Sequence, residues 1–202
     1  MTNRRIVGLT GGIATGKSTV SNYLKKRHKI SVFDADVYAR QAVEKGSEIL
    51  KRIAERYGGE MLQEDGTLKR KKLGEIIFKN PEEKQWLEEQ IHPYVRDRLE
   101  EDAHNTDDAI VVLDVPLLFE ANMTDLATEI WVVYCTPQQQ RSRLMQRDAL
   151  SAEQAQARIH SQMSIETKRD RADVVLDNSA TREQLIQQID AAVTTFGDNK
   201  QM

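Results

Sequence analysis

Eight residues near the N-terminus, Gly11-Gly12-Ile13-Ala14-Thr15-Gly16-Lys17-Ser18, constrain this chain more than any other stretch. They fit G-x-x-x-x-G-K-[ST], the Walker A pattern. The pattern has chemical meaning only between a strand and a helix. Here the apolar run Ile6 to Thr10 precedes it and reads as a strand. Lys17 to His28 follows and reads as a helix, with Val20, Tyr23 and Leu24 on one face. Glycines at that junction let successive backbone N–H groups curl around phosphate oxygens at a helix N-terminus. Thr10, Gly11, Gly12, Ile13, Ala14, Thr15, Gly16, Lys17, Ser18 and Thr19 are therefore the candidate nucleotide contacts. Lys17 is placed to reach the β- and γ-phosphates, Ser18 to ligate Mg²⁺, and Thr19 to lie near the α-phosphate.

The rest of the chain alternates short apolar runs with helical patterns, the signature of a mainly parallel α/β sheet. Further strands are expected at Ser31 to Phe33, Ile110 to Val115, Ile130 to Tyr134 and Val174 to Leu176. Thr181 and Gln184 form a capping box for a last helix, with an apolar stripe of Leu185, Ile186, Ile189, Ala192 and Val193. Two segments exceed a minimal alternation. Residues 37–106 look all-helical and are too long for a simple connection. Within them Asn80 caps a helix beginning at Pro81, and Pro93 is expected to kink or end it. Thr136 caps a helix with Pro137 in its first position, and residues 137–173 carry a capping box at Ser151 and Gln154 and hold seven Lys/Arg against five Asp/Glu. The expected organisation is a core of 1–36, 107–136 and 174–202, a helical insertion of 37–106, and a helical lid of 137–173.

At 202 residues the chain is long enough for one well-packed domain with smaller excursions. Its net charge of −3 gives no broad basic surface for nucleic acid. The single cysteine, Cys135, ends an apolar run and reads as a small buried residue; it permits no intrachain disulfide. No apolar run approaches the ~20 residues of a membrane span, and no signal-peptide pattern is present, so the cytoplasm is the expected compartment. Composition leaves monomer and weak homo-oligomer both open.

A phosphate loop leaves the reaction undecided. A GTPase switch would carry N-K-x-D, yet Asn199-Lys200 is followed by Gln201-Met202. A mechanical ATPase would show an arginine-finger region or a nucleic-acid surface. A small-molecule kinase needs a subdomain that grips the acceptor and an Arg-rich lid that excludes water, and the two extra segments supply both. Asp114 ends an apolar strand in the Walker B manner and is a candidate Mg²⁺ ligand with Ser18. Asp34-Ala35-Asp36 follows the second strand. One of these carboxylates, Asp36, is expected to orient the attacking hydroxyl and accept its proton, and the other, Asp34, to be more structural.

Longer blocks make a specific resemblance. Leu9-Thr10-Gly11-Gly12-Ile13, Asp34-Ala35-Asp36 with Ala39-Arg40, His92-Pro93, Asp114-Val115-Pro116-Leu117-Leu118-Phe119-Glu120, Gln146-Arg147, Arg158 with Gln162 and Lys168, and Asp177-Asn178 together resemble the dephospho-coenzyme A kinase family from about Arg5 to Val193. Most relatives have Ser where this chain has Thr15, a position expected to contribute mainly backbone. The resemblance implies a three-layer P-loop fold with a five-stranded parallel sheet, ATP and Mg²⁺ as cosubstrate and metal, and dephospho-coenzyme A as acceptor, with no nucleic-acid or membrane partner. It implies Asp36 as base, and Arg40, His92, Pro116, Leu117, Leu118, Phe119 and Glu120 at the acceptor site. Arg143 and Arg147 would be lid arginines and Asn178 would lie near adenine. The Lys69-Arg70-Lys71-Lys72 run is either a solvated helix start or an attractor for the acceptor's pyrophosphate.

Overall fold

The computed structural model describes residues 4–195 of the chain. Residues 1–3 and 196–202, with the Asn199-Lys200 pair, lie outside the described residues. Two compact units form: one from the chain up to Phe33 and again from Ala103 onward, the other from Asp34–Asp102.

The first unit is built on a five-stranded parallel sheet in the order β2-β3-β1-β4-β5. Its strands are β1 (Arg5–Gly11), β2 (Ser31–Asp34), β3 (Ile110–Asp114), β4 (Glu129–Tyr134) and β5 (Val174–Asp177). Each begins or ends within a residue of the expected span. β1 is central, and Val7 and Leu9 have no exposed surface. A strand covered on both faces must be apolar throughout, as Ile110-Val111-Val112-Leu113 of β3 is. Helix α1 (Lys17–Tyr23) packs Val20 on the sheet, and helix α9 (Arg182–Thr194) packs Leu185 and Ile189. The Thr181 capping box with Gln184 is formed. The helix after the glycine loop departs from expectation at its end: Leu24–His28 is a π-helical turn that closes on Lys29 with φ 58°. There His28 Nε2 lies 2.7 Å from Asp190 of α9. Cys135 is fully buried, and burial pushes its thiol up.

Helices α6 (Pro137–Asp148), α7 (Ala152–His160) and α8 (Ile165–Asp170) follow β4. The expected capping box of Ser151 with Gln154 is present, and the expected cap at Thr136 is extended by Gln139 into a second capping box.

The second unit is helical: α2 (Ala35–Gln41), α3 (Glu48–Tyr57), α4 (Arg70–Lys79) and most of α5 (Pro81–His104). It has its own core, in which Ala42, Val43, Leu50, Ile53, Met61, Leu73 and Leu87 meet. Helix α5 begins at Pro81, and Lys84 donates to the Asn80 carbonyl in its first turn. Pro93 does not end it; α5 continues for 24 residues through that position. An interior proline costs about 3 kcal/mol. Leu87 on one side and Val95 and Leu99 on the other are buried, each contributing about 1.5–3 kcal/mol, which is enough to hold both halves in one helix. Tyr57 donates to Glu83 at 2.5 Å, and Arg56 stacks on Trp86 with its guanidinium 4.5 Å from the ring centroid. Trp131 is a core residue of the first unit, whereas Trp86 is only half-buried.

Candidate functional site

In a parallel α/β sheet the ligand crevice lies beyond the C-terminal ends of the strands, and the register brings several sequence candidates there. Leu9 pairs with Asp114 across β1 and β3, so the acid sits beside the strand that runs into the glycine loop. Tyr134 pairs with Asp177 across β4 and β5, which puts Asn178 at the same end. Asp114 is nearly buried, and Lys17 Nζ donates to its Oδ1.

The loop has the torsions of an anion nest. Gly16 has φ 101° and Ala14 has φ 61°; the first requires glycine on two grounds. A side chain at that φ is strained, and a Cβ there would stand 2.2 Å from Asn178 Nδ2. Asn178 donates that amide to the Thr15 carbonyl at 2.8 Å. Thr15 contributes more than backbone: its buried hydroxyl donates to the Gly12 carbonyl at 2.9 Å and closes the loop. Thr10, also buried, donates to the Pro116 carbonyl at 3.0 Å. Ser18 and Thr19, at the start of α1, are exposed.

Ile13 is held at both of its peptide groups. Its N–H donates to Gln162 Oε1 at 3.0 Å and its carbonyl accepts from Gln140 Nε2 at 2.9 Å. Gln140 is itself 2% exposed. Neither glutamine's contact is legible in sequence. Gln140 lies in a run of three glutamines at a helix start, and Gln162 carried only family resemblance.

The Pro116–Glu120 segment divides by burial. Leu118 and Phe119 are buried in the first unit, Phe119 under the Arg171 guanidinium at 4.4 Å, while Pro116, Leu117 and Glu120 are half-buried. Glu120 Oε1 accepts from the Met163 N–H at 3.0 Å and from Lys168 Nζ at 2.9 Å. Its Oε2 is buried and makes no hydrogen bond.

The basic residues of 137–173 are not alike. Arg143 donates to the Asn178 carbonyl at 2.8 Å. Arg147 forms a two-bond pair with Asp148 at 2.8 and 3.1 Å and is more than half exposed, and Arg158 shares that acid. Arg147 holds the Asp148 carboxyl below its usual range. Lys168 is fully buried, unlike the other basic residues of 137–173.

The remaining candidates belong to the second unit. Asp34 is the N-cap of α2 and accepts the Asp36 N–H at 2.9 Å. Asp36 and Arg40 are exposed on that helix, and His92 is half-buried on α5. A cleft of about 700 Å³ is lined by Lys45, Lys69, Arg70, Lys71 and Lys72, with Glu44 and Glu75.

Among the described residues no group of three or more His, Cys, Asp or Glu could hold a metal ion. The Ser18 hydroxyl and Asp114 carboxylate are hard oxygen donors. That set fits Mg²⁺, which keeps several waters and takes one or two protein oxygens with substrate phosphates, and does not fit zinc. No helix among the described residues is long and apolar enough to cross a membrane.

With this geometry in hand, comparison with known proteins is informative. Residues 5–184 match the family model described as dephospho-CoA kinase. A dephospho-CoA kinase from Trichormus variabilis is 58% identical over 94% of this chain and 97% of its own length. One from Nostoc sp. is 56% identical over the same shares. Among solved structures, TT1252 from Thermus thermophilus superposes with a TM-score of 0.80 at 33% identity, covering 95% of this chain and 97% of its own. A dephospho-CoA kinase from Campylobacter jejuni does so with a TM-score of 0.71 at 29% identity, covering 96% and 98%. Shikimate kinase from Acinetobacter baumannii, at 16% identity and a TM-score of 0.56, shares the fold alone.

Proposed function

The chain belongs to the dephospho-CoA kinase family, and from that premise we propose that it transfers the γ-phosphoryl group of ATP to the ribose 3′-hydroxyl of dephospho-coenzyme A, the last step of coenzyme A synthesis. The observation that carries the reading is the strand–loop–helix nest from Gly11 to Ser18, with Lys17 and Asp114 joined at the strand ends.

Phosphoryl transfer passes through a loose transition state, so positioning and charge stabilisation dominate. The loop N–H groups hold the phosphates, and Lys17 exchanges its bond to Asp114 for oxygens whose charge grows between the β- and γ-phosphates. Ser18 and Asp114 would hold Mg²⁺, which when bound neutralises phosphate charge. Asn178 and Thr19 complete the nucleotide side, while Thr10, being buried, ties the strand before the loop to Pro116.

Asp36 orients the acceptor hydroxyl and takes its proton, while Asp34 secures the helix start. Arg40, His92, Pro116, Leu117 and Glu120 contact the acceptor. Leu118 and Phe119, being buried, hold that segment in place. We read the Asp34–Asp102 unit as the acceptor-binding domain, and its cleft of lysines as the place for the acceptor's pyrophosphate. Residues 137–173 serve as the lid, anchored to the phosphate loop at Gln140, Gln162 and Lys168, with Arg143 and Arg147 turning to phosphate as the stretch between those anchors closes. The compartment is the cytoplasm.

An ADP-release assay with ATP against dephospho-coenzyme A, adenosine, AMP and uridine tests this. Dephospho-coenzyme A is expected to be by far the best acceptor. If it is inert and one of the others is turned over, the protein is a nucleoside or nucleotide kinase instead.

A further inference from the structure

Lys168 has no exposed surface, and nothing in the reaction above uses it. Its ammonium has three donors and three oxygens around it: the Glu120 carboxylate at 2.9 Å, the Pro116 carbonyl at 3.0 Å and the Gly11 carbonyl at 3.4 Å. Burial pulls this ammonium below the ordinary lysine range, Glu120 opposes that shift, and the nearby Lys17 charge adds to it.

A buried ion pair is a poor device for stability alone. The cost of taking charge out of water can exceed the attraction of the pair, here fully for Lys168 and in part for Glu120, and an apolar pair of the same volume often does as well. This pair is also incompletely satisfied, since Glu120 Oε2 has no donor. What the cation does achieve is geometric. Gly11 is the first residue of the phosphate loop, and Pro116 and Glu120 bound the segment beyond Asp114. One ammonium therefore ties the loop's origin to the segment that follows the Asp114 strand. It does so from α8, whose preceding residues Gln162 and Met163 bond Ile13 and Glu120.

We infer that Lys168 is a positioning residue for phosphoryl transfer: it sets the phosphate loop and the Pro116–Glu120 segment in one register. It touches no substrate. This rests on the reading of the site as that of an ATP-dependent kinase. Preorganised groups need not rearrange as the reaction proceeds, and three acceptors around a fully buried ammonium allow very little movement.

The test uses the full chain and three changes: Lys168→Met, Lys168→Gln, and Lys168→Met combined with Glu120→Gln. The last removes both charges and leaves neither unpaired. Glu120→Gln alone is its reference. Melting temperature, ADP affinity by calorimetry, and kcat and KM for each substrate are measured for all of them. Lys168→Met is expected to melt early, and the double variant to recover most of that loss. In whichever variants stay folded, ADP affinity and kcat/KM for ATP are expected to fall at least about tenfold, the scale of a charge-assisted hydrogen bond, while KM for the acceptor changes less. The double variant should keep that deficit relative to Glu120→Gln. The inference is overturned if the double variant regains both melting temperature and kcat/KM to the Glu120→Gln level. It is equally overturned if Lys168→Gln or Lys168→Met is fully active per folded molecule. Wild-type turnover in the same assay separates the two ideas: an inert wild type sinks the kinase reading, whereas an active wild type with active variants sinks only this one.

Discussion

Gln162 accepts the backbone N–H of Ile13 at 3.0 Å, so the third residue of the phosphate loop is held by a side chain from the segment between α7 and α8. Gln140 of α6 holds the carbonyl of the same residue. The segment 137–173 is thereby bonded to the loop itself. Gln140→Leu leaves a carbonyl unpaired beside a buried side chain, which costs about 1–3 kcal/mol. It should lower the melting temperature by about 2–4 °C for each kcal/mol. Gln162→Leu is less buried and should cost less stability. Both should raise KM for ATP. Calorimetric melts with steady-state kinetics decide; an unchanged KM in both variants would show that the loop keeps its shape without them.

The Asp34 and Asp36 pair separates stability from chemistry. Asp34 caps α2 by accepting the Asp36 N–H. Asp34→Ala should cost about 0.5–2 kcal/mol, the usual loss of an N-cap, with kcat per folded molecule retained. Asp36→Asn keeps size and one carbonyl acceptor but cannot take a proton. It should lower kcat strongly while calorimetry finds both ligands bound nearly as before, the pattern for an interaction made only in the transition state. The reverse assignment is required if Asp34→Asn loses kcat and Asp36→Asn keeps it. If both keep it, Asp114 is the next candidate.

The strands, the glycine loop, the cap at Thr136 and the capping boxes at Ser151 and Thr181 were all legible in sequence, because each is local: apolar runs, torsion-permissive residues, side chains bonding three residues on. Continuity of α5 through Pro93 was not legible, since a local rule about proline is overridden by burial of Val95 and Leu99. The burial of Lys168 was not legible for a related reason. It sits in Thr167-Lys168-Arg169-Asp170-Arg171, where every neighbour signals solvent, and only the fold reveals that one of these cations turns inward. Gln140 and Gln162 act on backbone more than a hundred residues away, for which no spacing rule exists.

Arg147 is engaged only with its neighbour Asp148 on an exposed helix face. Exposed pairs contribute little to stability, so the guanidinium is free to exchange acid for phosphate. Arg147→Ala should slow turnover while the melting temperature stays within a few degrees of wild type. A variant that melts early yet is fully active per folded molecule would make the residue structural.

The second unit carries its own acid sensitivity. Hydrogen bonds from Arg56 and then Tyr57 hold the Glu83 carboxyl down at about 2, against an ordinary 4.5. A depressed carboxylate stabilises the fold above its unfolded pKa and loses that contribution as pH falls through the folded one. The stability difference between wild type and Glu83→Gln should therefore be constant above about pH 5 and shrink steadily between 4.5 and 2. Urea midpoints of both proteins across that window provide the check; a difference independent of pH would mean the carboxylate charge is not what these contacts use.

A nest of backbone N–H groups, with Lys17, drives transfer to one particular hydroxyl. The most direct measurement is phosphorus NMR of the product formed from ATP and dephospho-coenzyme A by wild type and by Lys17→Ala. The account requires one new phosphomonoester signal coupled to the ribose C3′ proton with wild type. It requires a rate at least about a hundredfold lower with Lys17→Ala, the scale of losing one preorganised donor. A phosphate on any other hydroxyl, or undiminished turnover in Lys17→Ala, would contradict it.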